Sequence, residues 1–452
     1  MPNSTARSPR GRLAVFAAVL ALVAAALPLA GCDYFFGASE GPPLPGERIS
    51  VLKLNSALAV DPDAAKEDVA LPQPYQNADW SQSGGNSSHA MHHLALGDPI
   101  AVAWSADIGE AASDNRFLLA EPIAVGGRVY TMDAGMTVSA FDLANGAPVW
   151  HADLTPEDEN DDLFGGGLAS DGQRIYASTA FQQIVALDAA TGERVWTATL
   201  HAPIRAAPAY SDGRIFVVTV DNQVFALAAD DGRLLWTYQG LPELAGLLGG
   251  AAPAVLGPDL VAPFSSGEVI AIRADTGRVL WTDSLAGGGR SEALSQLADI
   301  RGRPVIDRDI VIAVSNSGVT SGIDLASGNR IWTEDFGGSQ SPWVAGDYVY
   351  MLTRDGDVVC VTRKEGRIRW VQSLPEFEDE VEKTDPIQWS GPTLAGDRLL
   401  VTGSNGEAYS ISPYTGELIG HLTLPAKSHL PAIVVAGTVL IVTDSAQLVA
   451  LR

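Results

Sequence analysis

Ala186-Leu-Asp-Ala-Ala-Thr191-Gly192-Glu-Arg-Val-Trp196 is the stretch on which the reading of this chain turns. A small residue and an aliphatic lead into an acid, a Thr-Gly turn follows, and a tryptophan stands four residues after the glycine. The turn glycine recurs at Gly146, Gly192, Gly232, Gly277, Gly328, Gly366 and Gly416. Tryptophan keeps its place at Trp150, Trp196, Trp236, Trp281, Trp332 and Trp370, and only the last copy departs, with Gly420. Successive glycines are 38 to 51 residues apart, a period that belongs to repeat architectures whose units bury their faces against one another.

Within each unit short runs recur with the residues of strands, as in Arg214-Ile-Phe-Val-Val-Thr-Val220 and Gln223-Val-Phe-Ala-Leu227. Period two over short runs bounded by Gly and Asp predicts short strands joined by tight turns. The turn glycine accepts a positive φ, and the preceding Asp or Thr bonds the turn backbone. Asp142, Asp188 and Asp324 are turn residues on this reading. Trp lies on the outermost strand, a large ring with one N–H, placed to wedge between neighbouring units.

The small-aliphatic pair that opens the repeat returns an eighth time at Ala450-Leu451 with no outer strand after it. Ala101-Val-Ala-Trp104-Ser-Ala-Asp107 reads as a Trp-bearing outer strand with nothing before it to pair with. Joining the two closes a ring and leaves no open sheet edge running through the molecule. The expectation is an all-β, eight-bladed β-propeller of four-stranded antiparallel sheets over 99–452. An open solenoid of stacked sheets is the alternative.

Arg7, Arg10 and Arg12 precede the apolar run Leu13 to Leu27, the proportions of a secretory signal rather than of a membrane span. Leu29-Ala30-Gly31-Cys32 follows and resembles a bacterial lipobox, which implies a signal peptide over 1–31 and diacylglycerol on Cys32. Each buried methylene contributes about 0.8 kcal/mol, so two or three acyl chains hold a protein stably at a membrane. Asp33 leaves the inner membrane open as an address, with the periplasmic face of the outer membrane preferred. From 32 to 98 no period is sustained and prolines are frequent, so this stretch reads as a largely irregular tether. His89, His92 and His93 within it read as a solvated loop, because Gly84-Gly85-Asn86-Ser87-Ser88 flanks them.

A net charge of −25 excludes nucleic acid as a partner, since phosphate binding is driven by clustered Lys and Arg. It also excludes adhesion to bare anionic lipid, so attachment to a membrane needs the anchor. Of the two cysteines, Cys32 is assigned to lipid and Cys360 sits in the alternating run Asp357 to Thr362, a small buried hydrophobe. No cysteine-based metal or redox site is expected.

The Asp-x-x-Thr-Gly-x-x-x-Trp repeat resembles that of the pyrroloquinoline-quinone propeller enzymes and, among their non-enzymatic relatives, the BamB family of outer-membrane assembly lipoproteins. The lipobox, the size and the lack of any Cys-x-x-Cys-His favour BamB. That resemblance implies a non-catalytic scaffold without cofactor, a monomer within a heteromeric complex, holding BamA, other assembly-machinery proteins and precursor outer-membrane proteins. Pro242-Glu-Leu244-Ala-Gly-Leu247-Leu248-Gly-Gly-Ala-Ala-Pro253 is similar to the family's BamA-docking loop, and Ser295-Gln-Leu-Ala-Asp299-Ile to its acidic companion. Leu244, Leu247, Leu248 and Asp299 are the protein-binding residues so implied, while Leu248 and Arg301 depart from the family's arginine and second aspartate. Independently of the resemblance, Leu241, Leu244, Leu247 and Leu248 among glycines form an apolar run that marks a partner surface. A quinone dehydrogenase, or a periplasmic propeller with another protein or polysaccharide ligand, are the competing readings. The acidic runs Glu157 to Asp162 and Glu376 to Asp385 lack the spacing of a calcium loop and read as solvated connections.

Overall fold

The computed structural model describes residues 58–113, 116–157, 165–243, 247, 249–286 and 298–452. Cys32 and Asp33 lie outside them. Among the described residues the strands form eight four-stranded antiparallel sheets and one small hairpin. Seven sheets are continuous in sequence, and each adds its strands from the channel outward. Blade 1 starts with Ile123–Val125 and blade 2 with Gly166–Ser170. Blades 3 to 6 start with Ala209–Ser211, Ala254–Leu256, Val305–Asp307 and Trp343–Ala345. Blade 7 starts with Trp389–Ala395. The propeller read from the repeat is the fold observed.

Blade 8 is the composite one. Ile433–Val435, Thr438–Val442 and Gln447–Leu451 supply three strands, and the fourth is Val102–Asp107. Trp104 pairs with Ala450 and Asp107 with Gln447. The backbones of Ala101 and Arg452 exchange hydrogen bonds of 2.7 and 2.9 Å. Pairing across the sequence removes the sheet edge that would otherwise stay bare.

The repeat's residue pattern has a direct mechanical basis. In every copy the tryptophan of one blade lies over the turn glycine of the next, as Trp150 over Gly192 and Trp196 over Gly232. A Cβ on Gly192 would sit 2.6 Å from the Trp150 ring. Each indole N–H donates to a carbonyl in that same turn at 2.7–3.2 Å. Asp and Ser side chains brace the turns: Asp188 Oδ1 accepts from Ala190 and Thr191 N–H at 2.9 Å, and Asp324 from Ser327 N–H at 2.8 Å. Those donors hold the Asp188 carboxyl below the usual carboxylate range. Gly420, the copy without tryptophan, faces blade 8, whose third and fourth strands come from opposite parts of the sequence and share no turn. An indole there would have no glycine to cover.

Residues 58–98 form few regular elements, yet they are bound to the ring. Asp61 N–H reaches Ile368 O at 2.9 Å on blade 6. Residues 77 to 94 then trace a circuit along the channel-facing edges of the innermost strands. The circuit begins on blade 8, where Asn77 Nδ2 donates to Val434 O at 2.8 Å. Trp80 exchanges backbone bonds of 2.7 and 2.9 Å with Ala124 on blade 1, and Ser81 O accepts from Ser170 N–H at 2.8 Å on blade 2. Gln82 Oε1 takes Tyr210 N–H at 2.7 Å on blade 3. Ser87 O and Ser88 O take Val255 and Ile306 N–H at 2.6 and 2.9 Å on blades 4 and 5. Trp343 Nε1 donates to His92 O at 2.7 Å on blade 6, and Leu94 O accepts from Gly396 N–H at 2.9 Å on blade 7. All eight blades are visited in order. The inner strands have one unpaired side, and this girdle satisfies backbone groups that burial would otherwise leave bare.

The solvated histidine loop is corrected by this arrangement: His89 and His93 are buried, with Trp80, Met91 and Leu94. Gly84 and Gly85 are there for packing, since Cβ atoms on them would fall 2.7 Å from His89 and 2.5 Å from Met91. Composition alone suggested mobility because glycine serves both purposes.

Candidate functional site

Each inner strand runs away from the face that carries the connections between blades and towards the face of the Asp-x-x-Thr-Gly turns. The girdle bonds near the far ends of these strands, so it closes the channel on the turn face. On the opposite face the inter-blade connections surround the channel mouth. The described residues of both connections singled out in the sequence, 240–253 and 285–304, lie on that face.

The first connection is pinned at its start. Asn222 Nδ2 donates to Leu241 O at 2.7 Å, and Glu268 Oε2 accepts Leu241 N–H at 2.8 Å. These two side chains hold the backbone while the Leu241 side chain stays exposed. Farther along, Leu247 N–H donates to Asp299 Oδ2 at 2.6 Å, so two residues picked from sequence meet, one from each connection. Asp299 is itself buried, and that burial raises its pKa against the Leu247 and Arg301 contributions that lower it. Its role is therefore to hold the leucine loop. Leu244 and Leu248 fall outside the described residues.

Arg301, which the resemblance marks as a departure, stands at the channel mouth. Burial lowers its pKa, with Asp299 the chief opposing charge, and Gly249, at φ +91°, leaves room for its guanidinium. Deeper in, Arg303 Nη1 donates to Glu121 Oε1 at 2.5 Å and to Ser83 Oγ at 2.6 Å. Ser83 Oγ in turn donates to Glu121 Oε2 at 3.0 Å. This triad joins the entries to blades 1 and 5 with the girdle. The channel holds two contiguous pockets sharing Glu121, Arg303, Gln340, Ser341 and Pro431. The outer one, with Arg301, encloses about 610 Å³ open to solvent. The inner one, floored by Trp80, Gly84 and His89, encloses about 430 Å³.

Burial drives the His89 pKa down to about 3, with Arg303 adding to the effect. The folded state thus refuses a proton that the unfolded chain accepts below about 6.5. Stability from this group is complete above that value and is lost as pH falls towards 3. His89→Gln should flatten the dependence of the melting temperature on pH across that window, and an unchanged slope would show that His89 does not govern it.

Arg301, Arg303, Glu121, Trp80 and His89 were missed as site residues in sequence. The signal for two of them was present: Arg301-Gly-Arg303 is a basic pair in a strongly acidic chain. Cys360 is buried and free, and that burial pushes the thiol pKa up. Among the described residues no three His, Cys, Asp or Glu side chains lie together as a metal cage. The acidic hairpin of Phe377–Asp379 and Thr384–Pro386 is exposed except for a half-buried Phe377.

A closed ring of Trp-Gly repeats, plugged on one face and carrying two linked loops on the other, defines a β-propeller of the pyrroloquinoline-quinone-like repeat class. Residues 134–372 match the family model described as outer membrane protein assembly factor BamB. The chain belongs to that family. It is 23% identical over 346 residues to the Yersinia pestis BamB, covering 75% of this chain and 85% of that one. With the Bordetella pertussis BamB it shares 26% over 365 residues, covering 80% and 89%. The crystal structure of BamB from Moraxella catarrhalis superposes with a TM-score of 0.64 at 20% identity, covering 76% of this chain and 99% of that chain. A europium-containing methanol dehydrogenase gives 0.65 at 15% identity over 81% and 88% of the two chains, a likeness of fold alone.

Proposed function

We propose that this protein is a non-catalytic, cofactor-free scaffold of outer-membrane β-barrel assembly. Lipid on Cys32 holds it at the periplasmic face of the outer membrane, and the loop face docks BamA. The observation that carries the reading is the 2.6 Å bond from Leu247 N–H to the buried Asp299 carboxylate. It ties one residue of each of two consecutive inter-blade connections together, and groups held together before docking lose less freedom on binding. Exposed Leu241 beside half-buried Leu247 supplies the apolar area that an interface core uses. The BamB relatives named above are outer membrane protein assembly factors, which supports a role in the same machinery and further contacts with other assembly proteins and with precursor outer-membrane proteins. Anchoring raises the scaffold's effective concentration beside its partner.

The test is retention of the periplasmic domains of BamA on the immobilised mature protein. Wild type should retain them, and Leu244→Glu and Leu247→Glu should each weaken binding by about tenfold or more, as burying a charge at an interface core does. Circular dichroism confirms that the ring is intact. Failure of the wild type to bind, or equal binding by both variants, would overturn the docking surface.

A further inference from the structure

The funnel between the channel mouth and the girdle carries a charge opposite to that of the rest of the chain. Its charged lining side chains, excluding histidine, are Arg205, Arg301, Arg303 and Glu121, in a chain with 54 acids against 29 lysines and arginines. Three side chains lining the inner end, Trp80, His89 and Arg303, each keep one buried nitrogen without a hydrogen-bond partner among the described residues: Nε1, Nε2 and Nε. Their chemistry is defined. Trp80 Nε1 and Arg303 Nε are donors. His89 Nδ1 faces Pro304 O at 2.7 Å, an acceptor, so Nδ1 carries the proton. Because the buried ring is neutral, its Nε2 accepts.

Two donors and one acceptor, beneath a rim of guanidiniums, match a ligand end with two anionic oxygens and one N–H. A dianionic phosphate monoester suits the arginines, but it brings no proton for His89 Nε2 and sets two negative charges against the Glu121 carboxylate where a carboxylate sets one. A carboxylate with its adjoining amide N–H meets the whole set, and guanidinium groups bind carboxylates strongly. Leu119, Leu430 and Ile433 add apolar wall for a side chain. We infer that the funnel is a binding site for the carboxyl-terminal end of a polypeptide, or for a small acylated amino acid of the same chemistry, entering from the loop face. The funnel shares Gly249 and Arg301 with the two connections, but its floor of Trp80 and His89 is apart from Leu244 and Leu247, so failure of peptide binding leaves the docking of BamA untouched.

Titration calorimetry on the mature protein tests this with an acetylated tripeptide of two alanines and a terminal leucine, as the free acid and as the amide. Acetyl-leucine and sodium acetate form two further arms. The free acid should bind, with the amide weaker by about tenfold, the scale of one lost charge-assisted bond. Arg301→Gln and Trp80→Phe should each weaken the acid by about fivefold or more on the same scale. The phenylalanine keeps the ring that stacks on Trp343 at 6.3 Å, so this variant reads binding even if Arg301→Gln fails to fold. Tighter binding of the tripeptide than of acetyl-leucine assigns the site to polypeptide ends, and equal binding assigns it to small acylated acids. Acid and amide binding alike, acetate matching the tripeptide, no binding at about 1 mM, or no change in Trp80→Phe would each overturn the inference and leave water as the partner of the three nitrogens.

Discussion

A chain lacking residues 58–96 should lose its cooperative thermal transition, although every strand of the propeller remains in its sequence. The girdle puts Trp80, Met91 and Leu94 almost wholly out of water, which contributes roughly 5–9 kcal/mol at about 1.5–3 kcal/mol per large apolar side chain. Ordering the segment offsets part of this. Its removal also strips partners from inner-strand amides on several blades, including Ala124, Ser170, Val255, Ile306 and Gly396. Buried amides left without partners cost about 1–3 kcal/mol each. Against a typical net stability of about 5–15 kcal/mol, the combined effect exceeds what the ring can lose. Melting followed by circular dichroism checks it: a truncated chain that still unfolds in one sharp transition near the parent temperature would show that the blades close unaided.

The second large effect belongs to the Trp-Gly contact between blades. Trp150→Ala should cost about 3 kcal/mol, the low end for a large aromatic, because the ring is half-buried against the next blade. Gly192→Ala should cost about 1–2 kcal/mol for the backbone at φ +76°. A further ~1–3 kcal/mol comes from overpacking against the ring. The decisive measurement is the double variant in urea. With the ring gone, the overpacking contribution disappears, so the two changes should fall short of additivity by about 1–3 kcal/mol. Strict additivity would mean that the glycine serves the turn alone.

That contact shows where sequence reading stops. Gly192 and Trp196 recur four residues apart, so both were visible as a repeat within one blade. The indole that covers Gly192, however, is Trp150 of the preceding blade. A motif reports what is fixed in each copy, and the partner across the interface lies one variable-length loop away. The closing strand was legible for the opposite reason, because Trp104 and Ala450-Leu451 each lacked a complement. The girdle was not legible. Its contacts are one or two bonds to each of eight blades, which impose no period on residues 77–94. The site divides likewise: Leu247 and Asp299 emerged from resemblance, and the structure brings them together. The basic funnel depends on loops from separate blades converging at one mouth, which no local pattern encodes.

Val102 faces Leu451 across the composite sheet, and this pairing sets an order of events for a polypeptide delivered through a membrane from its amino-terminal side. Seven sheets can form as they emerge, while the strand at 102–107 must wait, exposed, until the segment at 447–451 has crossed. Ring closure is therefore a clasp: until residues 447–451 are at hand the blades form an open horseshoe, whose two free edges can pair with a neighbour.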